Sequence, residues 1–152
     1  MRRLGLVLLL CAGCAARGDF TQAPAGATGG QPEEIYVATT RLFGPGGYGF
    51  ERSEAADFLR YDISIPTDRE PGELNWPPRS RKPDAAKDFL VLDETRFGSA
   101  ADFRTALHDE MASRGQTGAV VYVHGFNNTM AEGVYRVAQM HHDLQVPGVA
   151  VH

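Results

Sequence analysis

The stretch Val120–Thr129 reads VVYVHGFNNT and joins an apolar run to a polar turn. Residues 119–123 (AVVYV) are continuously apolar, which is typical of a parallel strand covered on both faces. Thr129 and Glu132 have the spacing of a capping box, in which each side chain satisfies a free amide at a helix start. The sequence therefore predicts a strand, a turn and then a helix.

The helix predicted after this turn is followed by a second apolar strand. Val134, Val137, Ala138 and His141 follow one another at helical spacing. Pro147 and Gly148 mark its end, and Val149 opens another apolar run. A strand, a helix and a strand in this order predict a βαβ unit with parallel pairing.

Two further strands are predicted upstream, on either side of a glycine-rich segment. Residues 34–40 (EIYVATT) are β-branched and aromatic, and residues 59–65 (LRYDISI) alternate as in a half-exposed, antiparallel strand. Gly44, Gly46 and Gly49 between them fit G-x-G-x-x-G. A dinucleotide site needs a helix to begin inside that motif, but Pro45 lies there and the chain soon enters another strand. We expect a glycine-rich loop, with nucleotide binding as an alternative that thermal stabilisation by nucleotide would reveal.

A long loop, a short strand and a helix are predicted between residues 66 and 115. Five prolines in 66–87 exclude a helix or a central strand, and Trp76 either pins this loop to the domain or lines a cleft. Residues 88–92 (DFLVL) predict a strand, and 99–114 predict an amphipathic helix that stops at Gly115. The apolar face of this helix contains Phe103, Leu107 and Met111.

Composition indicates one globular domain that does not bind nucleic acid. The chain has 152 residues, 43% of them hydrophobic, and a formal net charge of −4, which gives no field that attracts phosphate backbones. Arg79, Arg81 and Lys82 lie beside Trp76 and form a short basic stretch that could in principle follow a single strand. A solvated surface loop is the simpler interpretation.

The N-terminus has the pattern of an export signal. Arg2 and Arg3 precede a short apolar run in residues 1–13, and the run LCAGC ending at Cys14 resembles a bacterial lipoprotein cleavage box, with Cys11 where leucine is usual. We expect a lipid on Cys14, a flexible tether over 14–33, and an exported, membrane-anchored domain on the periplasmic or surface side. An ordinary signal peptide cut nearby is the alternative. In the lipoprotein reading no cysteine remains for a disulfide or a thiolate metal site.

The chain resembles a bacterial family of the α/β-hydrolase superfamily whose substrates are poorly defined. The resemblance is carried by the segments VYVHGFNNT, EGVYRVAQMHHDL and PGVAV, together with the earlier segment IYVATTR and a strand ending in SIP. The resemblance covers residues 34–152. It implies an α/β fold, with a mostly parallel sheet, antiparallel N-terminal strands and only part of the α/β-hydrolase domain. It also implies hydrolysis of a small-molecule ester without a cofactor.

The resemblance gives the HGFNNT turn a role in acyl transfer, because a tetrahedral oxyanion needs preorganised donors in the loop after a sheet strand. The amide of Phe126 is the candidate donor, and Gly125 would allow a close approach of the backbone. His124 would orient the loop, while Asn127 and Asn128 would shape the turn. A plain βα turn without chemistry is the alternative.

The sequence contains no G-x-S-x-G motif, on which such hydrolases place their nucleophile. The serines after the signal are Ser53, Ser64, Ser80, Ser99 and Ser113, and all precede the HGFNNT turn. We expect the nucleophile, acid and base beyond His152, in a longer hydrolase of which this chain is the N-terminal part. A non-catalytic envelope lipoprotein that acts as a binding or scaffold module is the alternative function. His108, His141 and His142 are not spaced as paired metal ligands, so no metal site is predicted.

Overall fold

The computed structural model describes residues 18–152, so the predicted signal peptide (1–13) and lipidation site (Cys14) lie outside the described residues. The elements, in chain order, are β1 (Gly30–Gly44), β2 (Gly47–Pro66), β3 (Leu90–Phe97), α1 (Ala100–Ser113), β4 (Ala119–Val121), α2 (Met130–Asp143) and β5 (Val149–Val151). Each helix begins with a side-chain cap, Ser99 for α1 and Thr129 for α2.

The five strands form one mixed sheet in the order β3-β2-β1-β5-β4. β1 pairs antiparallel with β2, and β2 pairs antiparallel with β3. β5 pairs parallel with both β1 and β4. The predicted α/β class and the βαβ unit are confirmed, as are the antiparallel N-terminal strands, and the sheet is evenly mixed in strand direction.

The two helices pack on opposite faces of this sheet because neighbouring strand residues point to opposite sides. Ile35 is buried against α2, in a cluster with Val134 and Tyr135. Tyr36, the next residue, is buried in a second cluster with Phe103 of α1. The core thus has a part on each face of the sheet. Each fully buried side chain of this size contributes about 1.5–3 kcal/mol relative to an exposed one.

The glycine-rich segment between β1 and β2 is a tight hairpin rather than the predicted loop. Its turn consists of Pro45 and Gly46, and the strands pair on both sides of it, with Gly44 opposite Gly47. Gly47 has a φ of +88°, which a residue with a side chain rarely adopts. No helix begins here, so the geometry that a nucleotide fingerprint needs is not formed.

β4 is an edge strand within the described part of the chain, which corrects the prediction of a strand covered on both faces. It is three residues long and pairs only with β5. Val121 is 67% exposed and Val123, just after the strand, is 83% exposed. An apolar run indicates what a strand can bury, but the neighbours decide what is buried.

Residues 18–23, within the predicted tether, pack against the domain. The ring of Phe20 stacks on Tyr61 with 4.6 Å between centroids. Thr21 and Ala23 exchange backbone hydrogen bonds with Val91, so this segment runs beside β3. The Phe20 ring and the two backbone hydrogen bonds to Val91 thus hold these residues against the sheet.

The long loop predicted over 66–87 is present between β2 and β3 and is tied down at two places. Arg69 forms an ion pair with Asp143 of α2, and Arg81 forms one with Asp88. Trp76 packs on Tyr135, with 5.0 Å between ring centroids, which is the pinning role expected for it. Of the helices in residues 18–152, none has the length and apolarity needed to cross a membrane.

Candidate active site

The HGFNNT turn lies between the end of β4 and the start of α2, and two local features fix its shape. Asn127 has a φ of +70°, in the left-handed region that asparagine tolerates better than most residues. Thr129 caps α2 by accepting a hydrogen bond from the Glu132 amide at 3.1 Å. The Glu132 carboxylate in turn accepts one from the Thr129 amide at 2.7 Å, so the predicted capping box is confirmed.

His124 is held at both ring nitrogens. Its Nδ1 lies 2.8 Å from the carbonyl oxygen of Gly125, and its Nε2 lies 3.2 Å from Nη2 of Arg41. The same Nη2 donates to the carbonyl of Asn128 at 2.7 Å. Burial lowers the pKa of Arg41, but a guanidinium starts so far above neutrality that it stays charged.

Phe126, at the tip of the turn, is fully exposed as a side chain. Within residues 18–152 its backbone amide makes no hydrogen bond. A Cβ added to Gly125 would meet no atom of the described chain within 4 Å, so the fold of these residues does not itself demand glycine there. Space beside Gly125 and a free amide at Phe126 leave the turn able to receive an oxygen atom of a ligand.

A cleft of about 310 Å³ opens beside the turn. It is lined by residues 38–41 of β1, residues 121–124 at the end of β4, and Val151 and His152 at the end of β5. β1, β4 and β5 run parallel, and ligands of α/β proteins bind beyond the carboxyl ends of such strands. The cleft and the turn meet at His124, the one residue of the turn that lines the cleft.

His152 lines the same cleft and lies close to His124. The two rings stack at 5.2 Å between centroids. Burial is the largest cause that lowers the pKa of His152 to about 4, and the nearby Arg41 guanidinium adds to the shift. Both of its ring nitrogens are buried without a hydrogen-bond partner among residues 18–152. His152 is therefore neutral at physiological pH and adds no charge to the cleft.

The remaining side chains considered from the sequence lie away from this cleft. All five serines after the signal are described, and none lines it. Ser64 is buried, and Ser99 caps α1. Among the described residues, no three His, Cys, Asp or Glu side chains are grouped so as to hold a metal ion. His141 instead bonds Glu33 and the carbonyl of Gly148.

The basic stretch in the long loop does not present a stacking surface. Arg81 binds Asp88, whose side chain is only 1% exposed, through two hydrogen bonds of 2.6 Å. Trp76 covers Gly18 and packs on Tyr135, so it does not stand free beside the arginines. Arg81 and the Trp76 ring therefore hold the loop in place.

Arg41 is the site residue that the sequence did not reveal. It is the last residue of the IYVATTR segment, which suggested a family but no role for this arginine. Eighty-three positions separate it from His124 in the chain. Only the pairing of β5 between β1 and β4 brings the two together, and that order cannot be read from the strand patterns.

Comparison with known protein families gives one match. Residues 99–152 match the family described as "Alpha/beta hydrolase of unknown function (DUF900)". The match starts at the cap of α1 and includes β4, the HGFNNT turn, α2 and β5. It leaves out β1 to β3, and hence Arg41. No curated protein and no solved structure matches the chain. The C-terminal third of the chain is thus α/β-hydrolase-like, and the mixed sheet is consistent with part of that fold.

Proposed function

We propose that the chain supplies the oxyanion side of an ester hydrolase of the serine type. The observation that carries the proposal is the amide of Phe126, which has no partner within residues 18–152 and lies in a turn next to a cleft. A preorganised backbone donor at this place would stabilise the negative oxygen of a tetrahedral intermediate. The positive end of the α2 dipole, one residue beyond the turn, would add to this effect.

The reaction of the complete hydrolase would be acylation of a serine by an ester, followed by hydrolysis with water and without a cofactor. The printed sequence has no G-x-S-x-G and no serine at the cleft. The chain by itself would therefore not turn over an ester. We also propose that it is exported and carried on a membrane by a lipid on Cys14, on the strength of the signal-like residues 1–14.

The first test is treatment of the purified chain with a fluorophosphonate probe and an activated ester. We expect no labelled serine and no saturable hydrolysis. Labelling of Ser53, Ser80 or any other serine of these 152 residues would show that a nucleophile is present and would refute this part of the proposal.

The second test concerns the donor itself and uses a chain whose reading frame continues through a G-x-S-x-G segment after codon 152. Phe126→Pro removes the amide hydrogen, and we expect kcat to fall by roughly 10²-fold to 10³-fold, the usual cost of one oxyanion donor. Phe126→Ala is the matched control, because it keeps the amide and removes only an exposed ring. Equal activity of the two variants would exclude Phe126 as a donor.

A non-catalytic envelope lipoprotein, acting as a binding or scaffold module, is the second candidate. The lack of a G-x-S-x-G motif in the sequence favours it. It predicts that the chain as printed is monomeric and unfolds cooperatively, which ultracentrifugation and a thermal melt would measure.

A further inference from the structure

Arg41 sits between two irregularities in the pairing of β1 with β2. Thr39 lies opposite Asp57, Arg41 opposite Arg52 and Phe43 opposite Tyr48, so β2 has extra residues on both sides of Arg41. Bulges of this kind turn a side chain away from its regular direction and are common next to active sites. The Arg41 amide, displaced from the regular ladder, donates to the Thr39 hydroxyl at 3.1 Å.

The guanidinium that is turned in this way joins the hairpin to the HGFNNT turn. Nη1 donates to the carbonyl of Gly49 at 2.9 Å, and Nη2 donates to the carbonyl of Asn128 at 2.7 Å. The Phe50 ring lies beneath the guanidinium, 5.3 Å from its central carbon. His124 is the fourth partner of the guanidinium. Two partners lie in the hairpin and two in the HGFNNT turn, and together they fix the plane of the guanidinium.

The contact with His124 decides which nitrogen of the imidazole holds the proton. A guanidinium has donors only, so Nε2 of His124 accepts from Arg41. The proton of the neutral ring is then on Nδ1, which donates to the Gly125 carbonyl at 2.8 Å. The other tautomer would set a proton against the guanidinium and a lone pair against the carbonyl.

The Gly125 carbonyl and the Phe126 amide belong to the same peptide group. That group is planar and trans, so its oxygen and its hydrogen point in opposite directions. A hydrogen bond from His124 to the oxygen therefore also fixes the direction of the amide hydrogen. Arg41 acts on the Phe126 amide through this sequence of contacts without touching it.

We propose that Arg41 is a positioning residue, which selects the Nδ1–H tautomer of His124 and so sets the direction of the Phe126 amide. The catalytic role of the Phe126 amide in this inference rests on the proposed function. The effect of Arg41 on the tautomer of His124 does not depend on it. The tautomer can be observed in the chain as it is, without any turnover.

The experiment is NMR of the protein with ¹⁵N-labelled histidine at mildly alkaline pH, with His124→Gln used to assign the signals. In the wild type we expect a protonated Nδ1 and an unprotonated Nε2 at His124. In Arg41→Gln we expect the signals to move toward a mixture of tautomers. Arg52→Gln is the matched control, because Arg52 is the exposed cross-strand neighbour of Arg41 and should leave the His124 signals unchanged.

Arg41→Lys serves as the second variant if Arg41→Gln fails to fold. A single ammonium group cannot bond the Gly49 and Asn128 carbonyls and His124 together in a plane, so we expect an intermediate change. An unchanged Nδ1–H tautomer in a folded Arg41 variant would overturn the proposal. A changed tautomer with unaltered kcat in the longer hydrolase would uphold the positioning of His124 and count against the oxyanion function instead.

Discussion

Glu33 and His141 join the first strand to the last turn of α2. A carboxylate oxygen of Glu33 lies 2.8 Å from Nδ1 of His141, whose side chain is 9% exposed. The carbonyl of Gly148 lies 3.0 Å from Nε2 of the same ring. Both nitrogens thus face acceptors, and only the protonated imidazole can donate to both.

The pH dependence of stability should therefore contain a histidine component. The hydrogen bond to Glu33 raises the pKa of His141 above its ordinary value of 6.5, although burial opposes the shift. The stabilisation is fully present below about pH 6.5 and is lost as the pH rises through the raised pKa of the folded state. His141→Gln should cost about 1–3 kcal/mol at pH 6 and remove this component. Urea titrations across pH 5 to 9 would measure it.

His108→Gln is the control for that prediction, because His108 is exposed on α1. The wild type and His108→Gln should show parallel stability curves against pH. Parallel curves for the wild type and His141→Gln would contradict the assigned role of His141.

Asp143 should carry an acid-sensitive part of the stability. Its carboxylate binds Arg69, the Gly72 amide at 2.7 Å and Gln139 at 2.8 Å. The bond to Arg69 is the largest cause that lowers the pKa of Asp143 below its ordinary value. The stabilisation is present above about pH 3.9 and is lost as the pH falls toward the lowered pKa. Asp143→Asn should cost about 3 kcal/mol at pH 7, because Arg69 is left buried without its partner.

The control for Asp143→Asn is Glu94→Gln. Glu94 pairs with Arg96, but the two side chains are 30% and 42% exposed, and such pairs contribute only about 0–1 kcal/mol. Chemical unfolding at pH 7 would compare the two variants, and equal losses would show that burial of the Asp143 pair is unimportant.

Gly148 should not tolerate a side chain. Its φ is +108°, and an added Cβ would lie 2.7 Å from the carbonyl oxygen of Gly118. Gly148→Ala therefore combines backbone strain with a steric clash, and we expect a loss of about 2–4 kcal/mol. Gly44→Ala is the control, because a Cβ at Gly44 meets no described atom within 4 Å. Thermal melts in which both variants lose the same stability would contradict the stated cause.

Thr129 should support both α2 and the segment before β1. Its hydroxyl accepts from the Glu132 amide and donates to the carbonyl of Gly18 at 2.8 Å. Thr129→Ala should cost about 0.5–2 kcal/mol and make residues 18–24 more accessible to limited proteolysis. Thr129→Ser keeps the hydroxyl and should restore both properties. Protection of the segment in Thr129→Ala would show that Phe20 alone holds it.

The sequence predicted the elements of this fold better than their surroundings. The capping box at Thr129 and the spacing of Val134 and Val137 are local signals, and both predicted the structure correctly. The exposure of Val121 depends on which strand lies beside β4, and the role of Arg41 depends on two bulges in a partner strand. Both features depend on tertiary structure, which neither hydrophobic periodicity nor a short motif predicts.

The contact of Gly18 with the cap of α2 has a consequence for how the protein would sit on a membrane. Gly18 donates to Glu132 and accepts from Thr129, the residue that closes the HGFNNT turn. With a lipid on Cys14, as proposed, only four peptide steps separate the acylated residue from this contact, and they reach roughly 14 Å at most. The start of α2 would then lie within about that distance of the headgroup layer, so the lipid would hold the domain close to the membrane.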